Sequence, residues 1–515
     1  MESHSTCQRS RLTNYSPKRL LHIGQPSRGK IRLLINPKRE GTQVQYATLS
    51  HCWGDSHVST LTSKSLYQLQ EGIAISELGQ TFQDAIFTAG SLGIQFIWID
   101  SLCILQDSAR DWQQEAQLMS SVYRFATLNI AASVAADSEA GCFPDRSTSM
   151  IKPCTVQSAW VDCHNYSYLL YYENFWQDAF KDMPLMKRAW VVQELLLAPS
   201  VLHLGGTQLF WECYELKACE TYPDGLPPYL RPDWISRKAI GGLLNNAGCR
   251  PDSIENGSET DRKHELWKLW IRVVDLYSAK RLTYTSDKLV ALSGIAKLME
   301  PKLDDQYCAG LWRKSLVTQL FWTGVCREQR LRPRPKPYQA PSWSWASLDG
   351  PIQHPGYSES WGNRMKTLIN ITDCKVENTA DSTTSSVTGG ILRLSGCLAS
   401  MQLRPDSQDK WSIFFNEAWR QERFFISLDC KLPSLQFHCL PLFADIYRLS
   451  DWDYYCLLLS PTGDVKGQFE RSGTLHFSAS AFGLRNWTEF PEVKNESWLE
   501  YESRSRNDQY NISII

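Results

Sequence analysis

From Gln45 onward, short apolar runs alternate with stretches of helical periodicity. Residues 46–50 predict a strand that ends at His51-Cys52-Trp53-Gly54. Phe82, Ala85, Ile86, Ala89 and Leu92 recur at helical spacing, and Gly90 and Gly93 are placed to stop that helix. Residues 96–100 form a continuous apolar run closed by an acid, as expected of a buried parallel strand. Ser108 predicts an N-cap, with Asp111 three residues on as a near capping box. Trp112, Ala116, Met119, Tyr123 and Ala126 then share a helical face, and residues 127–133 read as a further strand. A less regular insertion spans 134–183. A helix is expected over 187–197, stopped before Pro199, and then a strand over 201–204 closed by Gly205-Gly206. This alternation predicts an α/β protein with a doubly wound, mostly parallel sheet.

The flanks read differently. Residues 1–42 are basic and contain Pro; apart from an alternating patch at 31–35, they read as an N-terminal arm. The α/β domain is placed at 43–206. Residues 207–350 look mainly helical, with a polar linker at 251–260. Residues 351–515 predict a small β-rich C-terminal domain: 381–390 is a Ser/Thr/Gly-rich loop, 391–395, 424–428 and 454–460 are strands, and the polar tail after Asn495 frays. There is no internal repeat.

A chain of 515 residues exceeds one ordinary core, so two or three domains are expected. With 43% apolar and 21% charged residues it is globular rather than disordered, and the 20 Trp and 21 Tyr make the cores aromatic-rich. Lys plus Arg total 54 against 55 Asp plus Glu, so the net charge of -1 argues against a nucleic-acid partner. The longest weakly polar run, 125–136, is too short to span a bilayer, so no membrane insertion is expected. The 16 Cys lie singly, without a Cys-x-x-Cys pair or nearby paired His, so no metal site is expected. The N-terminus shows no apolar secretory segment, and the thiols suit a reduced, cytoplasmic protein.

Four stretches carry a family resemblance. They are Tyr46-Ala47-Thr48-Leu49-Ser50-His51-Cys52-Trp53-Gly54; residues 98–107 with Asp111, Trp112 and Glu115; Pro184-Leu185 with residues 188–194; and, downstream, Asp287-Lys288-Leu289, Gly294-Ile295-Ala296, Gly310-Leu311-Trp312 and Ser342-Trp343-Ser344-Trp345-Ala346-Ser347. In order and spacing this set resembles the heterokaryon incompatibility (HET) domain family of filamentous fungi. Two departures stand out: Ala189 where Gly is usual, and Gly79-Gln80 where a Pro-basic pair is usual. The resemblance implies a role in nonself recognition and programmed cell death.

A weaker resemblance links the core to TIR domains, with a TIR/flavodoxin-like sheet, some of which hydrolyse NAD through the Glu of a Trp-x-x-x-Glu pattern. Trp190 and Glu194 have that spacing, and i,i+4 residues share a helical face. Glu194 is therefore the candidate catalytic residue of a candidate NAD glycohydrolase. Ser50, His51, Trp53, Asp100 and Trp190 are the candidate dinucleotide-binding residues, because α/β sites gather at the carboxyl ends of strands. NAD would be the substrate; no further cofactor is required. Each residue also has a structural reading: Glu194 pairing with Arg188, Trp190 and Cys103 as packing, His51 as a hydrogen-bonded core imidazole, Asp100 as a loop cap. Asp111, Trp112 and Glu115 read as a helix start.

Three functions stand open. The first is a cell-death effector that cleaves or binds a dinucleotide. The second is an interaction module that assembles with a protein partner or as a homo-oligomer without turnover. The third is an accessory protein or recruited enzyme of a secondary-metabolite gene cluster.

Overall fold

The structure is a computed structural model that describes residues 4, 7, 15–24, 29–37, 44–54, 58–157, 167–230, 259–325, 334–355, 364–379, 386–405, 411–415, 418–420, 424–430, 436–448, 451–479, 499–505 and 509–515. The chain divides into two compact units. One is Met1–Val273 with Lys280–Leu282 and Lys297–Lys302; the other holds the remainder to Ile515.

The first unit is built on a nine-stranded mixed sheet. Its strands are β1 (Arg19–His22), β2 (Lys30–Ile35), β3 (Ala47–Ser50), β4 (Ile73–Ala74), β5 (Phe96–Trp98), β6 (Leu128–Ala131), β9 (Ser200–Leu204), β10 (Leu209–Cys213) and β11 (Lys217–Cys219). The strands β7 (Cys154–Gln157) and β8 (Ser167–Leu170) form a separate hairpin within the 134–183 insertion. In space the nine run β11-β10-β9-β6-β3-β5-β1-β2-β4.

Parallel pairing is confined to the centre, β9-β6-β3-β5. Both flanks are antiparallel. The expectation of a mostly parallel sheet therefore holds for the four central strands and fails outside them. The central strands are short and buried on both faces, as parallel strands covered by helices must be.

Among the described residues from β1 to β11, the α-helices are α1 (Leu66–Glu71), α2 (Gln80–Ser91), α3 (the single turn Asp100–Cys103), α4 (Ala109–Arg124), α5 (Phe175–Lys181) and α6 (Trp190–Leu197). The expected faces are the buried ones: Phe82, Ala85, Ile86 and Ala89 on α2, and Ala116, Met119 and Tyr123 on α4. Ser108 caps α4 by accepting the Asp111 N–H at 3.3 Å. The helix expected over 187–197 is a 3₁₀ turn, Pro184–Lys187, followed by α6.

The N-terminal arm is corrected. Residues 19–22 and 30–35 are sheet strands, and Leu20, Leu21, Ile31 and Leu33 are core residues. Arg19 fixes this flank of the sheet. Its guanidinium donates to both carboxylate oxygens of Asp111, at 2.6 and 2.8 Å, and to the Cys103 carbonyl at 2.8 Å. The helix-start acids of the second motif thus clamp β1 as well as opening α4.

Residues 207–219 also depart from the helical expectation, because β10 and β11 extend the sheet from β9. Phe210, Cys213 and Ala218 are buried, but what makes this stretch strand is its pairing, β10 with β9 and β11 with β10. True helices follow at Glu259–Ser278 and Val290–Leu303. Residues 251–258 of the expected linker lie outside the described residues.

The second unit carries a 12-stranded, almost wholly antiparallel sheet, larger than the small domain expected. Leu403, Ile413, Phe437, Tyr454, Leu458, Leu475 and Phe477 form its apolar core. The expected strands fall inside Val387–Gly396, Phe424–Leu428 and Asp451–Pro461. Two expectations fail here. Residues 387–390 of the supposed loop belong to a strand. The tail holds the strand Tyr510–Ile514, paired with Val387–Gly396 and Gln468–Ser478, because Ile512 and Ile514 are buried apolar anchors.

Candidate functional site

In chain order the central strands are β3, β5, β6 and β9. The chain steps from β3 to β5 on one side and returns to β6 on the other. That reversal is a topological switch point beside β3, where open α/β sheets form crevices beyond the strands' carboxyl ends. The β3 strand delivers Ser50 to this edge, with His51, Cys52 and Trp53 just beyond it. Asp100 opens α3 one residue after Ile99, and α6 begins at Trp190.

Ser50 is the centre of a buried polar chain. Thr48 and Ser50 share one face of β3, and Asn129 lies opposite Thr48 on β6. Thr48 Oγ1 donates to Asn129 Oδ1 at 3.1 Å, and Asn129 Nδ2 donates to Ser50 Oγ at 3.0 Å. Ser50 Oγ in turn donates to Asn129 Oδ1 at 3.2 Å, and the Ser50 hydroxyl also meets the carboxylate of Glu194, which the Tyr123 hydroxyl meets as well. Tyr123 Oη lies 3.2 Å from the Leu49 carbonyl. Thr48, Ser50, Asn129 and Glu194 are all buried, so their mutual hydrogen bonding is what makes the cluster tolerable inside the core.

Burial pushes the Glu194 carboxyl up to about 7. The charge of Arg188 and the hydroxyls of Ser50 and Tyr123 pull it down, while Asp100 adds to the rise. Glu194 is therefore divided between its acid and carboxylate forms near neutrality.

His51 lies past the end of the same strand. Its Nδ1 is 3.6 Å from Asp100 Oδ1, and its ring meets Phe82 edge-on at 4.9 Å. Nε2 is buried and has no hydrogen-bond partner among the described residues. Burial lowers its pKa to about 4, Asp100 opposing and Arg188 reinforcing the effect, so the imidazole is neutral at pH 7. The Trp53 indole donates to Asp100 Oδ2 at 2.9 Å, and the Ser101 N–H to Oδ1 at 2.7 Å. Asp100 thereby ties the first motif to the second. Arg188 of the third motif donates to the His51 carbonyl.

Gly54 closes the first motif for a steric reason. Its φ is +65°, and a Cβ there would stand 2.3 Å from Cβ of Asp137. The two departures from the family pattern are also accommodated. A Cβ at Gly79 would come 2.4 Å from the Ser138 carbonyl, whose loop caps α2 by accepting the Thr81 N–H at 2.9 Å. Ala189 has φ -70°, ordinary helical backbone needing no Gly.

The sequence-selected residues separate into two neighbouring groups. Ser50 and Glu194 form one, joined by Tyr123. His51, Trp53 and Asp100 form the other. Asp100 and Arg188 act electrostatically on both His51 and Glu194, which makes the two groups one charged neighbourhood. Trp190, one turn before Glu194, is partly buried and packs against the main core. Cys103 is fully buried, with its thiol raised to about 12, and behaves as packing. Asn129 and Tyr123 were not selected as functional; an Asn within the apolar run Leu128–Ala131 was the signal for the former.

No helix among the described residues is long and apolar enough to cross a membrane. No curated protein and no solved structure matches the chain. Residues 46–194, the span that runs from the start of β3 to Glu194, match the family model described as Heterokaryon incompatibility protein (HET), and the chain carries a HET domain there.

Proposed function

We propose that this HET domain is an effector of a nonself or cell-death response, and that it acts by hydrolysing NAD with Glu194 as the catalytic carboxylate. The observation that carries the reading is the placement of Glu194: a buried carboxyl at the switch point, its ionised form held by two hydroxyls and one cation. The central strand order β5-β3-β6-β9 supports a flavodoxin-like reading, in which a ligand sits at this edge. Water and NAD would give nicotinamide, ADP-ribose and a proton. The N-glycosidic bond breaks, its electron pair leaves with nicotinamide, and water adds to C1′ of the ribose. Nicotinamide departs as a neutral molecule, so no general acid is required. A fixed negative charge beside the oxocarbenium-like ribose is what lowers the barrier. In this reading neutral His51, whose Nε2 has no hydrogen-bond partner among the described residues, would hydrogen-bond a ribose hydroxyl, and Trp190 would flank the ring.

A second reading, an interaction module without turnover, draws on the β7–β8 hairpin, where Leu170 and the following Tyr171 and Tyr172 are exposed. One experiment separates the two. Purified chain is incubated with NAD and free nicotinamide is measured, for wild type and Glu194→Gln. The catalytic reading expects release by wild type and a loss of about 100-fold or more in a variant that stays folded. A folded variant that keeps full activity, or a wild type that releases nothing, leaves the interaction module.

A further inference from the structure

At the far end of β10 from this neighbourhood of charges, a second cluster draws together residues distant in sequence. His4, Cys7 and Cys213 place one imidazole nitrogen and two sulfurs all within 4.8 Å of one another. His4 Nδ1 is 3.4 Å from Cys213 Sγ. Two ligand atoms of a tetrahedral zinc, one S at about 2.3 Å and one N at about 2.0 Å, stand roughly 3.5 Å apart. The observed separation is thus what one zinc ion between them would set.

The backbone around Cys213 is shaped to hold a thiolate. Residues 213–216 form a tight turn in which the Cys213 N–H donates to the Leu216 carbonyl at 2.9 Å. The Leu216 N–H points back at Cys213 Sγ, 3.3 Å away, and the Glu215 N–H also reaches the sulfur. The Tyr214 backbone reaches the sulfur of Cys7 in the same way. Such N–H groups turned toward sulfur are the outer partners that orient metal-bound thiolates. Both cysteines are buried and His4 is half-buried, so the cluster is enclosed on the sulfur side.

We propose that His4, Cys7 and Cys213 form a zinc site that staples the N-terminal segment to the end of β10, with one coordination position left for a water. On binding, each thiol loses its proton to solvent. Two thiolates and a neutral imidazole then balance Zn²⁺, and the buried complex carries no net charge. Cuprous ion on the same ligands would leave a net negative charge in the core, which favours the divalent ion. No Cys-x-x-Cys or His-pair spacing announces the site, because His-x-x-Cys supplies two ligands and a strand over 200 residues away supplies the third.

The test uses the full chain, reduced and stripped of metal by a chelator, and titrated with Co²⁺ as the spectroscopic probe. The proposal expects tetrahedral cobalt bands with thiolate-to-metal charge transfer, saturating at equimolar metal and displaced by zinc. His4→Ala, at a half-buried position, should weaken binding by about 100-fold or more, beyond the ~10–100-fold typical of outer partners. Cys7→Ser should remove the two-thiolate signature. Cys154→Ser, at an exposed thiol, should leave the titration unchanged. The proposal is overturned by a chain that gives no charge-transfer band, by a band that survives His4→Ala and Cys7→Ser at unchanged affinity, or by peptide mapping that finds Cys7 and Cys213 joined as a disulfide in the chain as purified.

Discussion

Arg19 grips Asp111 through both guanidinium nitrogens, at 2.6 and 2.8 Å, with both side chains almost wholly out of solvent. Burial alone would raise the Asp111 carboxyl. The Arg19 guanidinium, the Leu105 N–H and the Lys18 ammonium outweigh it and hold the carboxyl well below the usual carboxylate range. Glu115, whose carboxyl burial pushes upward, lies 3.9 Å from the same guanidinium. The pair joins β1, in the antiparallel flank of the sheet, to the start of α4.

Arg19→Ala should therefore destabilise the first unit by about 3–5 kcal/mol, because it strands a buried carboxylate. Lys18, with its side chain 41% exposed, offers only partial compensation. Asp111→Asn in the Arg19→Ala background should recover part of the loss, since the stranded charge is gone. Urea unfolding of the four variants of this cycle checks it; strictly additive losses would contradict the coupling.

The acid of α6 makes stability fall with rising pH. With its folded pKa raised to about 7 from the ordinary 4.5, Glu194 binds more proton in the folded than in the unfolded chain. Its contribution is full below pH 4.5 and is lost as pH rises through 7. The loss is on the order of 3 kcal/mol. Glu194→Gln has no such proton to lose, so the variant should gain on wild type between those limits, measured as the difference in unfolding free energy. If the carboxylate is the catalytic form, kcat/KM for nicotinamide release should rise across the same window. A fall would assign the acid form instead.

His51 has the opposite sign. Its folded pKa, lowered to about 4 from 6.5, means that the folded chain binds less proton than the unfolded chain. That stability is full above 6.5 and is lost as pH falls through 4. His51→Gln should lose this dependence, so the gap between wild type and variant should narrow on acidification. An NMR titration that finds the His51 ring protonating near its ordinary pKa would remove the basis for treating it as neutral. Where the two windows overlap, Glu194 and His51 oppose each other, so the pH profile of the whole protein is flatter than that of either single variant.

Much of the centre of the fold was legible in the chain. Periodicity located α2, α4, β3, β5 and β6 to within a few residues, and the first three motifs lie within the span 46–194 that matches the family model. A two-residue or 3.6-residue apolar period reports which face of an element is buried, and that is a local property. The antiparallel flanks were not legible for the same reason. Residues 19–22 and 209–213 are too short to carry a period, and what makes them strands is a partner: β5 and the Arg19–Asp111 pair for one, β9 for the other. The tail strand Tyr510–Ile514 likewise exists because two neighbours supply its hydrogen bonds.

The same division runs through the candidate site. By itself the sequence determined that Trp190 and Glu194 share a helical face, that His51 follows a strand, and that Asp100 follows another. Only the tertiary structure decided that the Ser50 hydroxyl meets both Asn129 and Glu194, that Asp100 holds Trp53 while facing His51, and that Cys213 meets His4 and Cys7. Spacing along one element fixes direction through backbone geometry. Contacts between elements depend on sheet order, register and burial. The perturbed state of Glu194 arises from burial against neighbours contributed by β3, α4 and the segment before α6, none of which its own stretch of chain can specify.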